Sequence, residues 1–314
     1  MSLIEQAAKR LEQLRQAGVE LPPDDAPLQQ TLAQSKVDVS ETRAPAEASV
    51  AKQAVEEVAP TQIKPTSKSV TINLEAIAAS GLLVPNGARN QLADEFRVIK
   101  RPLIASAMGR QGNSIPNGNL IMVTSALPGE GKSFTAINLA ISIAMELDNT
   151  VMLVDADVAR PSVLNMLGLQ PSTGLLDVLK ENSLDISDAL LRTNIEKLSI
   201  LPSGTPHPRA TELLASDTMN RLLEDMSRRY SDRIIIFDSP PLLLTTEARV
   251  LASHMGQVVI VVNAENTVQA AVKQAVTTIE SCPHKMLVLN QVRGNKTDGY
   301  GYGYGYGYGH KHET

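Results

Sequence analysis

The sequence predicts an α/β fold, a mostly parallel sheet with helices on both faces, and three observations lead there. The segments NLIMVTSA, TVMLVDAD, KLSILPSG, RIIIFDSP, QVVIVVNA and KMLVLNQV, between Asn119 and Val292, are short and almost continuously apolar, which is how strands buried on both faces read. Amphipathic stretches near 132–147, 211–230, 245–254 and 267–281 alternate with them, so helices link successive strands and the sheet is parallel. Hydrophobic residues make up 43% of the 314, and they crowd into the chain after residue 70, giving one core with polar flanks.

Taken in order, residues 1–19 repeat Leu3, Ile4, Ala7, Leu11 and Leu14 at spacings of three and four, with charged residues mostly between them. This is an amphipathic helix with no core of its own. Its mixed charges favour a partner helix or coiled coil over a membrane surface, which stays open as the second reading. Residues 20–69 are rich in Pro, Ala, Glu, Gln and Thr and nearly empty of large apolar side chains, a composition that cannot offset the entropy of ordering and predicts a disordered linker. The folded domain is expected over 70–297. It opens with the weakly apolar VTINLEAIAASGLLVP and a helix over NQLADEFRVIKRPLIASAMG before the first long strand. A tail over 298–314 follows, in which Tyr300, Tyr302, Tyr304, Tyr306 and Tyr308 alternate with glycine.

The chemistry sits where the first long strand gives way to a helix. Ala126 to Ser133 reads A-x-x-x-x-G-K-S, a P-loop, so the fold class narrows to the P-loop NTPase form of the α/β fold. Gly129 and Gly131 let backbone N–H groups curl around a phosphate, Lys132 reaches the β/γ oxygens, and the Ser133 hydroxyl is placed to ligate magnesium. Pro128, Glu130 and Phe134 complete the expected nucleotide-binding run. Asp155 and Asp157 close the strand of VMLVDAD, and Asp238 closes IIIFD. One aspartate after a strand is ordinarily a turn residue or helix cap. Three that flank a P-loop at the carboxyl edge of an open α/β sheet point to one nucleotide.

Composition narrows the rest. A net charge of −5 without a basic block speaks against nucleic acid as a partner. The single cysteine, Cys282, forms no internal disulfide and reads as a buried small apolar residue. With no signal peptide visible at the N-terminus, it points to a reducing cytoplasm. No run of 18 apolar residues occurs, so membrane association would be borrowed from a partner. His207, His254 and His284 lack metal-ligand spacing, and His310 and His312 in the tail make a weak site. Tyr230 fits helix-end packing, and Arg228 and Arg229 read as solvated charges, with phosphate pairing open to either.

The combination of ALPGEGKS, an aspartate pair after four apolar residues, and IIIFDSPP resembles the bacterial tyrosine kinases of exopolysaccharide and capsule synthesis. The stretches LVDADVARPS, EFRVIKRPL and PHPRATELLAS are similar to the stand-alone autokinases associated with exosortase loci. The resemblance makes these segments the Walker A, A′ and B elements, with ATP and Mg2+ as cofactors. It makes Lys132, Asp155, Asp157 and Asp238 catalytic, and Ser133 with the three aspartates the metal set, partly through water. It does not say which of Asp155 and Asp157 takes the tyrosyl proton. It makes the tail the kinase's own substrate, phosphorylated between subunits. It further implies a ring homo-oligomer, an octamer in the family's form, with Asp94, Arg97 and Lys100 at the interface in place of E-x-x-R-x-x-R. The implied partners are a transmembrane polysaccharide copolymerase as activator and a tyrosine phosphatase, at the cytoplasmic side of the inner membrane. Two departures stand out: Ala159 where the family carries an arginine, with Arg160 one step later, and lysine at position 100. The rival readings are a partitioning or division-site ATPase, which carries a lysine where this chain has Leu127, and a non-catalytic nucleotide-binding scaffold.

Overall fold

One eight-stranded sheet, in the order β1-β4-β5-β3-β6-β2-β7-β8, organises the computed structural model, which describes residues 67–87, 90–109, 115–180 and 184–293. The strands are β1 (Lys68–Val70), β2 (Leu120–Ser125), β3 (Thr150–Asp155), β4 (Leu191–Thr193), β5 (Leu198–Leu201), β6 (Arg233–Asp238), β7 (Gln257–Asn263) and β8 (His284–Asn290). Every pairing is parallel except β4 with β5. This is the mostly parallel sheet that the apolar runs predict, with one short antiparallel step. The helices are α1 (Leu74–Ala79), α2 (Gln91–Ala107), α3 (Lys132–Ala144), α4 (Val163–Met166), α5 (Leu175–Lys180), α6 (Ile186–Ala189), α7 (Ala210–Leu214), α8 (Asp217–Arg229), α9 (Thr246–Ser253) and α10 (Gln269–Thr277).

The central strands bury both faces because successive side chains point to opposite sides. Leu120 and Met122 of β2 join a cluster with α5, α8, α9 and α10, while Ile121 and Val123 join another with α1, α2 and α3. Helices therefore cover both faces, and the core is double. Local chemistry sets the ends. The Asn90 side chain accepts from the Ala93 N–H at 2.8 Å and starts α2, and the Ser216 hydroxyl accepts from the Met219 N–H at 3.2 Å and starts α8. That second cap divides the helix expected over 211–230 into α7 and α8.

Five short elements escape the sequence pattern. β1 places Lys68 and Ser69, the last two residues of the expected linker, in the sheet beside Leu191 and Arg192. Three exposed or half-buried residues carry no apolar run by which to recognise a strand. β4 and the helices α4 to α6 fail for the same reason of length. At the other edge, β8 packs Met286 and Val288 onto the core and leaves Leu287 and Leu289 more than half exposed. Cys282 is buried, as its surroundings suggested. Tyr230 caps α8 with the Arg233 guanidinium 4.9 Å from its ring centre. The expected helix over 1–19, the body of the linker and the five tyrosines of the tail lie outside the described residues.

Candidate functional site

Topology brings the acidic residues together. β3 and β6 are neighbours in register, so Asp155 and Asp238, the last residue of each, stand side by side on strands about 4.8 Å apart. β2 lies on the other side of β6, and its continuation, Ala126 to Gly131, delivers Lys132 as the first residue of α3. The Lys132 ammonium lies 2.6 Å from Asp157 Oδ2 and 4.0 Å from Asp238 Oδ1. The Ser162 hydroxyl donates to Ser133 Oγ at 2.8 Å. Every residue of the expected catalytic set therefore meets at one sheet edge.

The P-loop backbone is shaped to receive an anion. Gly129 and Gly131 adopt φ of 81° and 93°, a left-handed conformation that glycine takes without strain. A Cβ on Gly131 would meet Asn290 Nδ2 at 2.1 Å, so any larger residue would displace that side chain from the loop. Among the described residues, no acceptor meets the N–H groups from Gly129 to Phe134, and the last of these lie at the start of a 13-residue helix. Unpaired N–H groups at a helix N-terminus form an anion site.

Glu130 divides its groups: its N–H belongs to the unpaired run, while its carboxylate is committed elsewhere. Its side chain is 2% exposed and turns away from the loop's concave side. Oε2 accepts from the Leu127 N–H at 2.6 Å, and Oε1 accepts from the Asn263 N–H at 3.3 Å and from the Thr267 hydroxyl. Asn290 Nδ2 donates to the Glu130 carbonyl at 2.9 Å and Gln291 Nε2 to the Gly129 carbonyl at 3.0 Å. The loop is thus held from behind by the ends of β7 and β8. Sequence reasoning missed Asn263, Asn290 and Gln291, although two of them close apolar strands just as Asp155 and Asp238 do. Phe134, the last residue of the expected run, packs its side chain against the core.

The electrostatics show what the site lacks. Burial first, then the charge of Asp238, pushes Asp155 up to about 7. Burial likewise pushes Asp238 up to about 6, opposed chiefly by Lys132. Asp155 Oδ2 accepts from the Ser162 and Val163 N–H groups at 3.1 and 3.0 Å, while its Oδ1 and both Asp238 oxygens are buried with no hydrogen-bond partner. Orphaned buried carboxylate oxygens beside a serine hydroxyl fit a hard cation such as Mg2+. No group of three His, Cys, Asp or Glu among the described residues could hold a metal alone. Magnesium takes one or two carboxylates together with substrate phosphates.

A cavity of about 380 Å³ opens onto Lys132 and Asp157, with Ala159, Arg160, Pro240 and Leu244 in its wall. A neighbouring one of about 370 Å³ reaches Asp155 between Leu164 and Pro206. The proposed interface residues are elsewhere, on α2. Arg97 pairs with Asp94 on the surface. Lys100 is 5% exposed and donates to the Ser142 carbonyl and the Glu146 carboxylate, both at 2.6 Å. It is spent inside its own chain.

Comparison with known proteins agrees with this geometry. A family described as an AAA domain matches residues 118–291. Tyrosine-protein kinase YwqD of Bacillus subtilis is 33% identical over 210 residues, 66% of this chain and 84% of that protein. The chain belongs to the bacterial tyrosine kinases of capsule and exopolysaccharide synthesis. As a protein-tyrosine kinase it is also similar to the putative tyrosine-protein kinase CapB of Staphylococcus aureus, at 27% identity over 70% of this chain and 93% of the relative. Among solved structures, the chimerical protein CapA2B2 matches this kinase with a TM-score of 0.56 and 27% identity over 70% of this chain and 92% of its own. The kinase domain of Escherichia coli ETK, at 23% identity and a TM-score of 0.55 over 74% and 99%, shares the fold.

Proposed function

We propose that this kinase transfers the γ-phosphoryl group of ATP to its own C-terminal tyrosines, Tyr300, Tyr302, Tyr304, Tyr306 and Tyr308, with one subunit acting on another. The observation that carries the reading is the set of unmet groups at one sheet edge. Unpaired N–H groups from Gly129 to Phe134 face acidic oxygens with no donor, Asp155 Oδ1 and both of Asp238, and Lys132 lies between them. Free donors suit the phosphates and free acceptors suit a cation.

Transfer forms a bond from the tyrosyl oxygen to the γ-phosphorus, breaks the bond to the bridging oxygen of the leaving ADP, and releases the phenolic proton. Positioning and charge neutralisation supply most of the catalysis. Ser133, Asp155 and Asp238 would hold Mg2+, which when bound neutralises the β/γ oxygens. The P-loop N–H groups orient the phosphates. Lys132 exchanges its Asp157 partner for the transferred group. Asp157 then faces the open cavity without a cation, and it accepts the tyrosyl proton there. Asp155 is tied to Ser162 and Val163 and sits deeper, which suits metal support over proton transfer.

The coarser relatives' names, CapB, CpsD and EpsB among them, support a role in regulating capsule or exopolysaccharide polymerisation and export. No helix among the described residues is long and apolar enough to cross a membrane. A transmembrane polysaccharide copolymerase as activator would place this kinase at the cytoplasmic face of the inner membrane, with a tyrosine phosphatase resetting the tail. A ring of subunits would use the half-buried Asp94 and exposed Arg97 of α2, with Lys100 fixing that helix from within. Intact mass before and after ATP and magnesium tests the central claim: successive additions of phosphate confined to the tail support it, and an unchanged mass with full ATP binding overturns it.

A further inference from the structure

We infer that Glu130 is a positioning residue whose carboxylate sets nucleotide affinity by bracing the P-loop from behind. The inference rests on the reading of this loop as an ATP site. An acidic side chain in a phosphate cradle opposes its ligand by like charge unless the charge is spent elsewhere. Here it is spent completely. Both oxygens face donors only: the Leu127 N–H on one, the Asn263 N–H and the Thr267 hydroxyl on the other.

Glu130 also stands between Gly129 and Gly131, the two left-handed glycines. Glycine loses more freedom on ordering than any other residue, so a loop built on two of them needs an external anchor to hold its N–H groups in a binding arrangement. The buried carboxylate is that anchor. It ties the loop to the turn between β7 and α10, which is itself fixed where Asn263 Oδ1 accepts from the Glu265 and Asn266 N–H groups at 3.0 and 2.9 Å. The bond to Leu127 also withdraws that N–H from the ligand and leaves the run from Gly129 onward to make the contact. Since neither oxygen is free or exposed, the Glu130 side chain touches no phosphate and only its backbone N–H belongs to the cradle. It acts through the loop, by preorganisation.

The test uses the full chain, with ATP and magnesium titrated by calorimetry and kinetics on the autophosphorylation reaction. Glu130→Gln keeps the volume but turns one acceptor into a donor facing donors. Thr267→Val removes one tie, and Thr267→Ser restores it. Glu130→Gln is expected to weaken ATP binding about tenfold or more, raising KM for ATP while kcat at saturation stays within about twofold. Thr267→Val should weaken binding by a few fold, and Thr267→Ser should match the wild type. Thr267→Val keeps the inference testable even if Glu130→Gln does not fold. Unchanged ATP affinity in a folded Glu130→Gln chain, or in Thr267→Val if that alone folds, overturns the inference. So does a fall in kcat with KM constant. A wild-type chain that binds no ATP would instead strike down the nucleotide reading.

Discussion

At the scale of single residues, the acidic pair of β3 and β6 carries a cost that follows from its burial. Both carboxylates are held up, Asp155 to about 7 and Asp238 to about 6 from an ordinary 3.8, because burial disfavours the charged forms. The native chain therefore retains protons that the unfolded chain has lost. Stability falls with rising pH wherever the native state binds the more protons. For metal-free, nucleotide-free protein the loss runs from about pH 4 to about pH 7 and levels off above. Asp155→Asn should raise Tm by several degrees at pH 8, change it little below about pH 4, and flatten the slope between, as calorimetry across that range will show. An unaltered slope would mean that the carboxylate is not strained as described. Lys132 is the countercharge. In Lys132→Met the aspartates can relieve the missing charge by binding protons, so the chain should stay folded, while phosphotyrosine on an immunoblot after ATP should drop at least a hundredfold.

At the scale of elements, α2 separates two duties that its sequence spacing had joined. Lys100 bonds a carbonyl near the C-terminus of α3 and the Glu146 carboxylate just beyond it, a favourable place for a cation, whereas Arg97 is about half exposed. Lys100→Met should cost about 1–3 kcal/mol of stability, the range for stranding a buried acceptor. Arg97→Ala should alter stability by under about 0.5 kcal/mol, as surface changes do, and reduce the mass of the assembly in light scattering. Equal effects of the two on stability would refute the division. The same contrast explains what the sequence revealed. β2, β3, β6 and β7 were legible because four or five consecutive apolar residues in each leave little choice of structure, and the P-loop was legible because its spacing is tied to its ligand. β1 and β4, at three residues each, and the break at Ser216 depend on partners distant in the chain. Glu130 was legible as a loop residue but not as a brace, since its direction is fixed by Asn263 and Thr267, more than 130 positions away.

At the scale of the whole molecule, transfer between subunits has a direct trial. An inactive Lys132→Met chain that keeps its tail, mixed with an active chain lacking residues 298–314, should acquire phosphate on its tyrosines. Mass spectrometry showing none would refute transfer between subunits. Each phosphate adds about −1.5 to −2 charges at neutral pH, and five of them near Asp155, Asp157 and Asp238 should favour release and smaller assemblies on sedimentation. A simple fact of chain path bears on this. Gln291 bonds the Gly129 carbonyl, so the residue that follows β8 stands beside the chain's own P-loop. Tyr300 lies nine chain steps beyond Gln291, a span of up to about 30 Å at 3.3–3.6 Å each. Length alone therefore does not keep a tail from its own active site, and the choice between self and neighbour becomes a matter of reaction order. Transfer within one chain would proceed at a rate indifferent to dilution. Transfer between chains must slow as the protein is diluted past the point where its assemblies come apart.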